Sequence, residues 1–256
     1  MGFDVSYHPI SEQEINEWYF DQIEEIKQGQ DCPSTAKTLA EAHNIEDFYI
    51  NKYLDTLNVG AKTDPTDPFN RTHGLYVAVV QGFFRTYFYT RGSAFSFLIE
   101  DHPEFIKYTK PWQKVVPFEI TNPLSNNITE NYCSGVFIPY EQVIELLNDY
   151  NDPTNKQILD NFFSEQRIQV FLKALNYCQQ HKLGLLEATE VITPNPTNLN
   201  ESSCYSNLLN CDPDGLVLYA EAAMEQINQY ISQFEAAEAA ATEPKKKGFF
   251  SRFFGK

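Results

Sequence analysis

The sequence predicts a mainly helical α+β fold, with several helices packed around a central apolar helix and a few short strands. Three observations predict it. Apolar residues recur at helical spacing in seven or eight segments. Three to five short strand-like runs lie far apart and do not alternate regularly with those helices, which argues against a doubly wound sheet. Residues 73–89 are apolar nearly all round, the mark of a buried helix. At 256 residues, 42% hydrophobic and 14% aromatic, the chain holds enough apolar material for a core without disulfide staples. The same figures exclude a disordered chain, a collagen and a disulfide scaffold.

Each element has its own signal. Residues 3–7 alternate as a strand, which Pro9 is expected to end. Ser11 and Glu14 form a capping box, and Ile15, Trp18, Tyr19, Ile23 and Ile26 follow at helical spacing. A second helical stretch covers residues 34–57, with Leu39, Ala42, Phe48, Tyr49, Tyr53 and Leu57 on its apolar side and Gly60 closing it. Residues 64–68, Asp-Pro-Thr-Asp-Pro, make a loop. The apolar stretch is expected to stay helical through Tyr87 and Phe88, a pair of buried strands being the alternative, until Arg91-Gly92 breaks it. Residues 94–99 resume as a short helix or strand.

Residues 115–120 and 135–138 look like strands separated by an Asn/Ser-rich loop. Pro139 opens a helix to about Tyr150, with Val143, Leu146 and Leu147 inward. Asp152-Pro153 starts another, ending near Phe163. Residues 167–181 are amphipathic through Phe171, Leu172, Leu175 and Cys178, and Gly184 is expected to close that helix. Residues 185–192 read as a strand, 193–215 as a long irregular loop, and 216–241 as a final helix. No linker precedes Thr242, so one globular domain is expected over 1–241 and a basic-aromatic tail over 242–256.

The charge is uneven. Lys and Arg number 19 against 35 Asp and Glu, a net −16. Five of those cations and no acid lie in residues 245–256, so residues 1–244, with fourteen cations against thirty-five acids, carry −21. Such a body repels phosphate backbones, which excludes nucleic acid as its partner, and it attracts a basic protein. The opening residues have neither the basic nor the apolar segment of a signal peptide. Five cysteines with no CxxC pair suit a reducing compartment. A cytoplasmic protein is expected, peripheral to the inner membrane at most.

No signature of catalysis is present: no GxSxG, Walker loop, GxGxxG or HExxH. Cys133, Cys204, Cys211, Asp212 and Asp214 lack the spacing of a zinc or calcium site. Asp212 and Pro213 read instead as N-cap and first residue of the last helix, and no metal or cofactor is expected. Arg85 and Arg91 inside the apolar stretch need acid partners. With His102, beside Glu100 and Asp101, they are the place where an enzyme of unfamiliar type would keep its pocket. The long loop, rich in Asn and Ser, offers Asn198, Asn200, Tyr205 and Asn207, with Asp212 and Asp214, as a protein-recognition surface. In the tail, Lys245, Lys246, Lys247 and Arg252 surround Phe249, Phe250, Phe253 and Phe254, which on a helix form one aromatic face. That composition suits weak, reversible contact with an anionic membrane.

Several segments carry a resemblance. They are residues 1–9 (MGFDVSYHP), 135–139 (GVFIP), 171–181 with 184–190 (GLLEATE), 204–207 (CYSN) and 210–213 (NCDP). Over roughly residues 1–230 the chain resembles a family of bacterial cytoplasmic proteins that look like cognate immunity proteins of polymorphic toxins, such as Rhs effectors of type VI secretion. The resemblance implies a protein that binds and neutralises a cognate antibacterial toxin rather than an enzyme. Its motifs are structural and carry over no catalytic residue.

Overall fold

The computed structural model describes residues 3–29 and 34–242. Its centre is a five-stranded sheet in the order β3-β4-β1-β2-β7. The strands are β1 (Asp4–Ile10), β2 (Tyr87–Arg91), β3 (Ser134–Ile138), β4 (Gly184–Thr189) and β7 (Cys211–Asp212). The β2–β7 pair is parallel and the other pairs are antiparallel. A separate two-stranded ribbon joins β5 (Ile192–Thr193) to β6 (Ser203–Cys204). The fold is mainly helical α+β as expected, with the sheet rather than a helix at its centre.

Both faces of the sheet are covered, as its alternation requires. On one face Val5, Tyr7, Phe88, Val136, Ile138 and Leu185 pack against α6 (Phe95–Asp101), α8 (Tyr140–Asp149), α9 (Pro153–Phe162) and α10 (Arg167–His181). On the other, Ile10, Phe137, Leu186 and Ala188 pack against a second helical layer. That layer contains α1 (Glu12–Ile15), a π-turn at Asn16–Phe20, α2 (Asp21–Lys27), α3 (Ser34–Ala42), α4 (Asp47–Ala61) and α5 (His73–Phe84). A single turn, α7 (Trp112–Val115), and the long α11 (Pro213–Thr242) complete the α-helices of the described residues.

Local signals hold where local chemistry decides. Ser11 and Glu14 make both bonds of their capping box. Asp152 accepts from the amides of Thr154 and Asn155 with Pro153 at the first helical position. Asp64 accepts from the Thr66 amide at 2.8 Å, fixing the expected loop.

Seven expectations are corrected. Pro9 does not end β1. It pairs with Leu185 beyond the end of β2, so no strand asks for its missing N–H, and its carbonyl accepts from Gln81 Nε2. The stretch 34–57 is two helices. Asn44 turns left-handed (φ 56°), and the amides of Asn44 and Ile45 bond back to Glu41 and Ala40, closing α3. Gly60 does not close α4 but lies within it, because a Cβ there would run into the Tyr19 hydroxyl. The apolar helix ends at Phe84, with Arg85 extended and residues 87–91 forming β2. Residues 116–120 form no strand, since Pro117 cannot donate to a ladder. At the end of α10 it is Lys182 that adopts the left-handed conformation (φ 58°), while Gly184 opens β4 where the Phe137 ring leaves no room for a Cβ. The strand over 185–192 is interrupted at Glu190 (φ 60°), which separates β4 from β5.

Candidate functional site

The long loop is fixed by its own polar side chains. Asn195, Asn198 and Asn207 each accept a backbone amide two residues ahead, from Thr197, Asn200 and Leu209. Two further bonds tie the loop to α5. Ser206 Oγ donates to the Val79 carbonyl at 2.7 Å, and Asn210 Nδ2 donates to the carbonyls of Gly82 and Phe83. Asn210 thereby caps the C-terminus of α5, whose last carbonyls have no partners within the helix. The loop therefore presents a fixed surface.

That surface is apolar and aromatic at its exposed points. Tyr205 is 58% and Leu209 79% exposed. Tyr132 meets the Tyr205 ring edge-on at 6.1 Å and is itself exposed, on a left-handed backbone (φ 59°). The start of α4 is held to the same end of α5, where the Tyr49 ring lies 6.1 Å from Phe83 and Phe48 projects outward. Exposed acids sit close by in sequence: Glu46 and Asp47 on α4, and Glu201 on the loop. Lys52 lies over the Phe48 ring at 5.0 Å. Exposed Tyr, Phe and Leu on rigid elements are residue types common at protein-binding faces.

The structure redistributes the residues expected to bind a partner. Tyr205, Asn198 and Asn200 are exposed, whereas Asn207 is half-buried and spends its carbonyl oxygen on the loop. Asp212 and Asp214 are not free acids. Both pair with Lys173, at 2.7 and 2.6 Å, and Asp212 also accepts from the Asp214 amide at the start of α11. Phe48, Tyr132 and Leu209 are exposed without having been expected to bind. Phe48 reads in sequence as part of the buried side of its helix, and only the tertiary fold brings Tyr132 to Tyr205. The tail residues Lys245, Lys246, Lys247, Phe249, Phe250, Arg252, Phe253 and Phe254 lie outside the described residues, as does Cys32.

Arg85, Arg91 and His102 do not converge. Arg85 precedes β2, pairs with Glu14 and lies 4.6 Å over the Trp18 ring. Arg91 ends β2, pairs with Asp4 and lies over Tyr219. His102 follows α6 and faces Glu104 at 3.4 Å. Each arginine has its own carboxylate, so Arg85 and Arg91 stand in separate structural ion pairs. Arg91 does line a cavity of about 350 Å³, but together with Arg167 and α11.

One buried trio has the shape of a hydrolytic triad. Gln81 Nε2 donates to the carbonyls of Pro9 and Thr86, which leaves its Oε1 to accept from His8 Nδ1 at 2.7 Å. His8 Nε2 then accepts from Ser6 Oγ at 2.8 Å. All three side chains are fully buried, and burial holds the His8 pKa down at about 4. With no access for substrate and a neutral amide as third member, the trio braces the sheet against α5.

A second cavity, of about 500 Å³, opens between the π-turn and residues 117–122. Phe20, Phe69 and Phe118 wall it, and His73 lies at its edge. Burial, with Lys27 nearby, holds the His73 pKa down to about 4, and its Nδ1 is engaged by the Tyr19 hydroxyl at 2.8 Å. The sequence signal for this cleft is faint, since a π-turn has no distinct periodicity. Among the described residues no group of three or more His, Cys, Asp or Glu comes together as metal ligands, and no helix is long and apolar enough to cross a membrane. What these residues offer chemically is binding through a fixed apolar face.

No family model, curated protein or solved structure matches the chain.

Proposed function

We propose that this protein is a binding inhibitor, a cytoplasmic immunity protein that captures and neutralises a cognate antibacterial toxin with a basic surface. The observation that carries the reading is the exposure of Tyr205, Tyr132, Leu209 and Phe48, the first two packed edge-on, on a body of charge −21. An acidic body steers a basic partner inward, and a rigid aromatic patch supplies the anchors once it arrives. The resemblance of residues 1–9, 135–139, 171–181, 184–190, 204–207 and 210–213 to immunity proteins supports the same reading.

The test begins with the gene upstream, cloned as a candidate toxin. Co-expression of this protein is expected to restore growth of a susceptible cell, and the purified pair is expected to co-elute. Association should slow steeply as salt rises while dissociation changes little. A toxin that kills equally with and without this protein ends the proposal.

A further inference from the structure

The helix α11 outruns the body it starts on. Leu216 is buried, and Tyr219 meets Tyr89 edge-on at 6.0 Å. Gln226 is the last residue of α11 lining the cavity shared with Arg91 and Arg167. The helix then continues for sixteen residues, to Thr242. From Ile227 to Glu235 every side chain is exposed. A helix of that length is marginal in water by itself and gains its stability by burying an apolar face.

That face exists. Val217, Ala220, Met224, Ile227, Ile231 and Phe234 recur at steps of three and four, the a and d positions of successive heptads. The five larger ones are 40–56% exposed. We propose that this seam is the interface of a parallel two-stranded coiled coil formed by two copies of this chain.

Three features select that occupant. The 3.5-residue period is the one that keeps a seam facing a supercoiled partner helix, and β-branched Val217 and Ile231 at a positions favour two strands. Charge suits a parallel orientation. The charged residues flanking the seam, Glu221, Glu225 and Glu235, are all acidic. Parallel pairing sets Tyr230 beside Glu235 and Ala223 beside Asn228 of the other copy, so no two acids meet. The same acids disfavour an anionic lipid surface as the occupant. The area fits a reversible pair: the five larger seam residues expose about 400 Å² per chain, or about 800 Å² in the two.

Sedimentation velocity of the full chain at tens of micromolar tests this directly. The full chain is expected to sediment as twice 29.5 kDa. A double variant, Ile227→Glu with Ile231→Glu, is expected to run as a monomer, with self-association weakened at least tenfold and the near-ultraviolet dichroism of the body unchanged. Because two glutamates could also unwind the helix, Ile231→Cys is the second variant. Like residues at a face each other in a parallel pair, so its oxidation should yield a disulfide-linked dimer that the unsubstituted chain does not form. A full chain that is monomeric at every concentration overturns the proposal. So does a monomer that dimerises only when shortened to Glu243, since residues 244–256 would then be covering the seam. A dimer in which Ile231→Cys fails to cross-link overturns the parallel arrangement.

Discussion

Glu187 carries the most consequential single ionisation in the core. It stands on β4 with its side chain wholly buried, and burial raises its pKa to about 7. Ser96 donates to it twice, from its amide at 3.1 Å and its hydroxyl at 2.6 Å, so the carboxyl caps α6, whose own N-cap is Ala94. In the unfolded chain this group ionises near 4.5. Between the two values the unfolded state gives up its proton while the folded state keeps it, and stability falls as pH rises. Glu187→Gln should therefore gain on the unsubstituted protein by on the order of 3 kcal/mol between pH 4.5 and 8. Chemical denaturation across that range checks it, and parallel profiles for the two proteins would contradict it. Gln81→Leu leaves the His8 Nδ1–H and the carbonyls of Pro9 and Thr86 without partners. It should cost about 3 kcal/mol, read as a lower urea midpoint at an unchanged m-value.

At the scale of elements, legibility follows from how local the deciding forces are. The capping box at Ser11, the Asp152-Pro153 start and the whole span of α10 were readable because neighbours in sequence fix them. The switch from α5 to β2 was not. Phe83 and Phe84 continue the apolar pattern into Tyr87 and Phe88, and what ends the helix is Asn210, a residue 127 positions away, on its final carbonyls. The candidate face divides in the same way. Loop length and composition pointed to Tyr205, but nothing near Tyr132 in sequence tells that it meets Tyr205. The close of α10 gives a direct test. Lys182 holds a left-handed conformation (φ 58°), where a side chain is strained and glycine is at ease. Lys182→Gly should raise stability by about 0.5–1 kcal/mol, where the same change at an exposed mid-helix position would lower it. A lower melting temperature for Lys182→Gly would contradict this reading of the cap.

The molecule as a whole separates scaffold from surface. Two helical layers bury both faces of the sheet, and titratable groups inside are satisfied by fixed partners: His8 by Gln81 and Ser6, Arg85 by Glu14, Arg91 by Asp4. The acids left outside give the body its negative field, and the loop capped onto α5 gives it an aromatic face. Under the proposed function, the exposed aromatic residues are the anchors for a basic partner. Tyr205→Ala and Phe48→Ala should each weaken the complex about tenfold or more, mainly through faster dissociation. Neither should alter the melting temperature, because both side chains are exposed. The most direct measurement is growth of a susceptible cell producing the candidate toxin, with the unsubstituted protein and with the Phe48→Glu, Tyr205→Glu double variant, the two produced at equal levels. The account predicts that the unsubstituted protein restores growth and the double variant does not. Killing that proceeds unchanged with the unsubstituted protein, or full protection by the double variant, would contradict it.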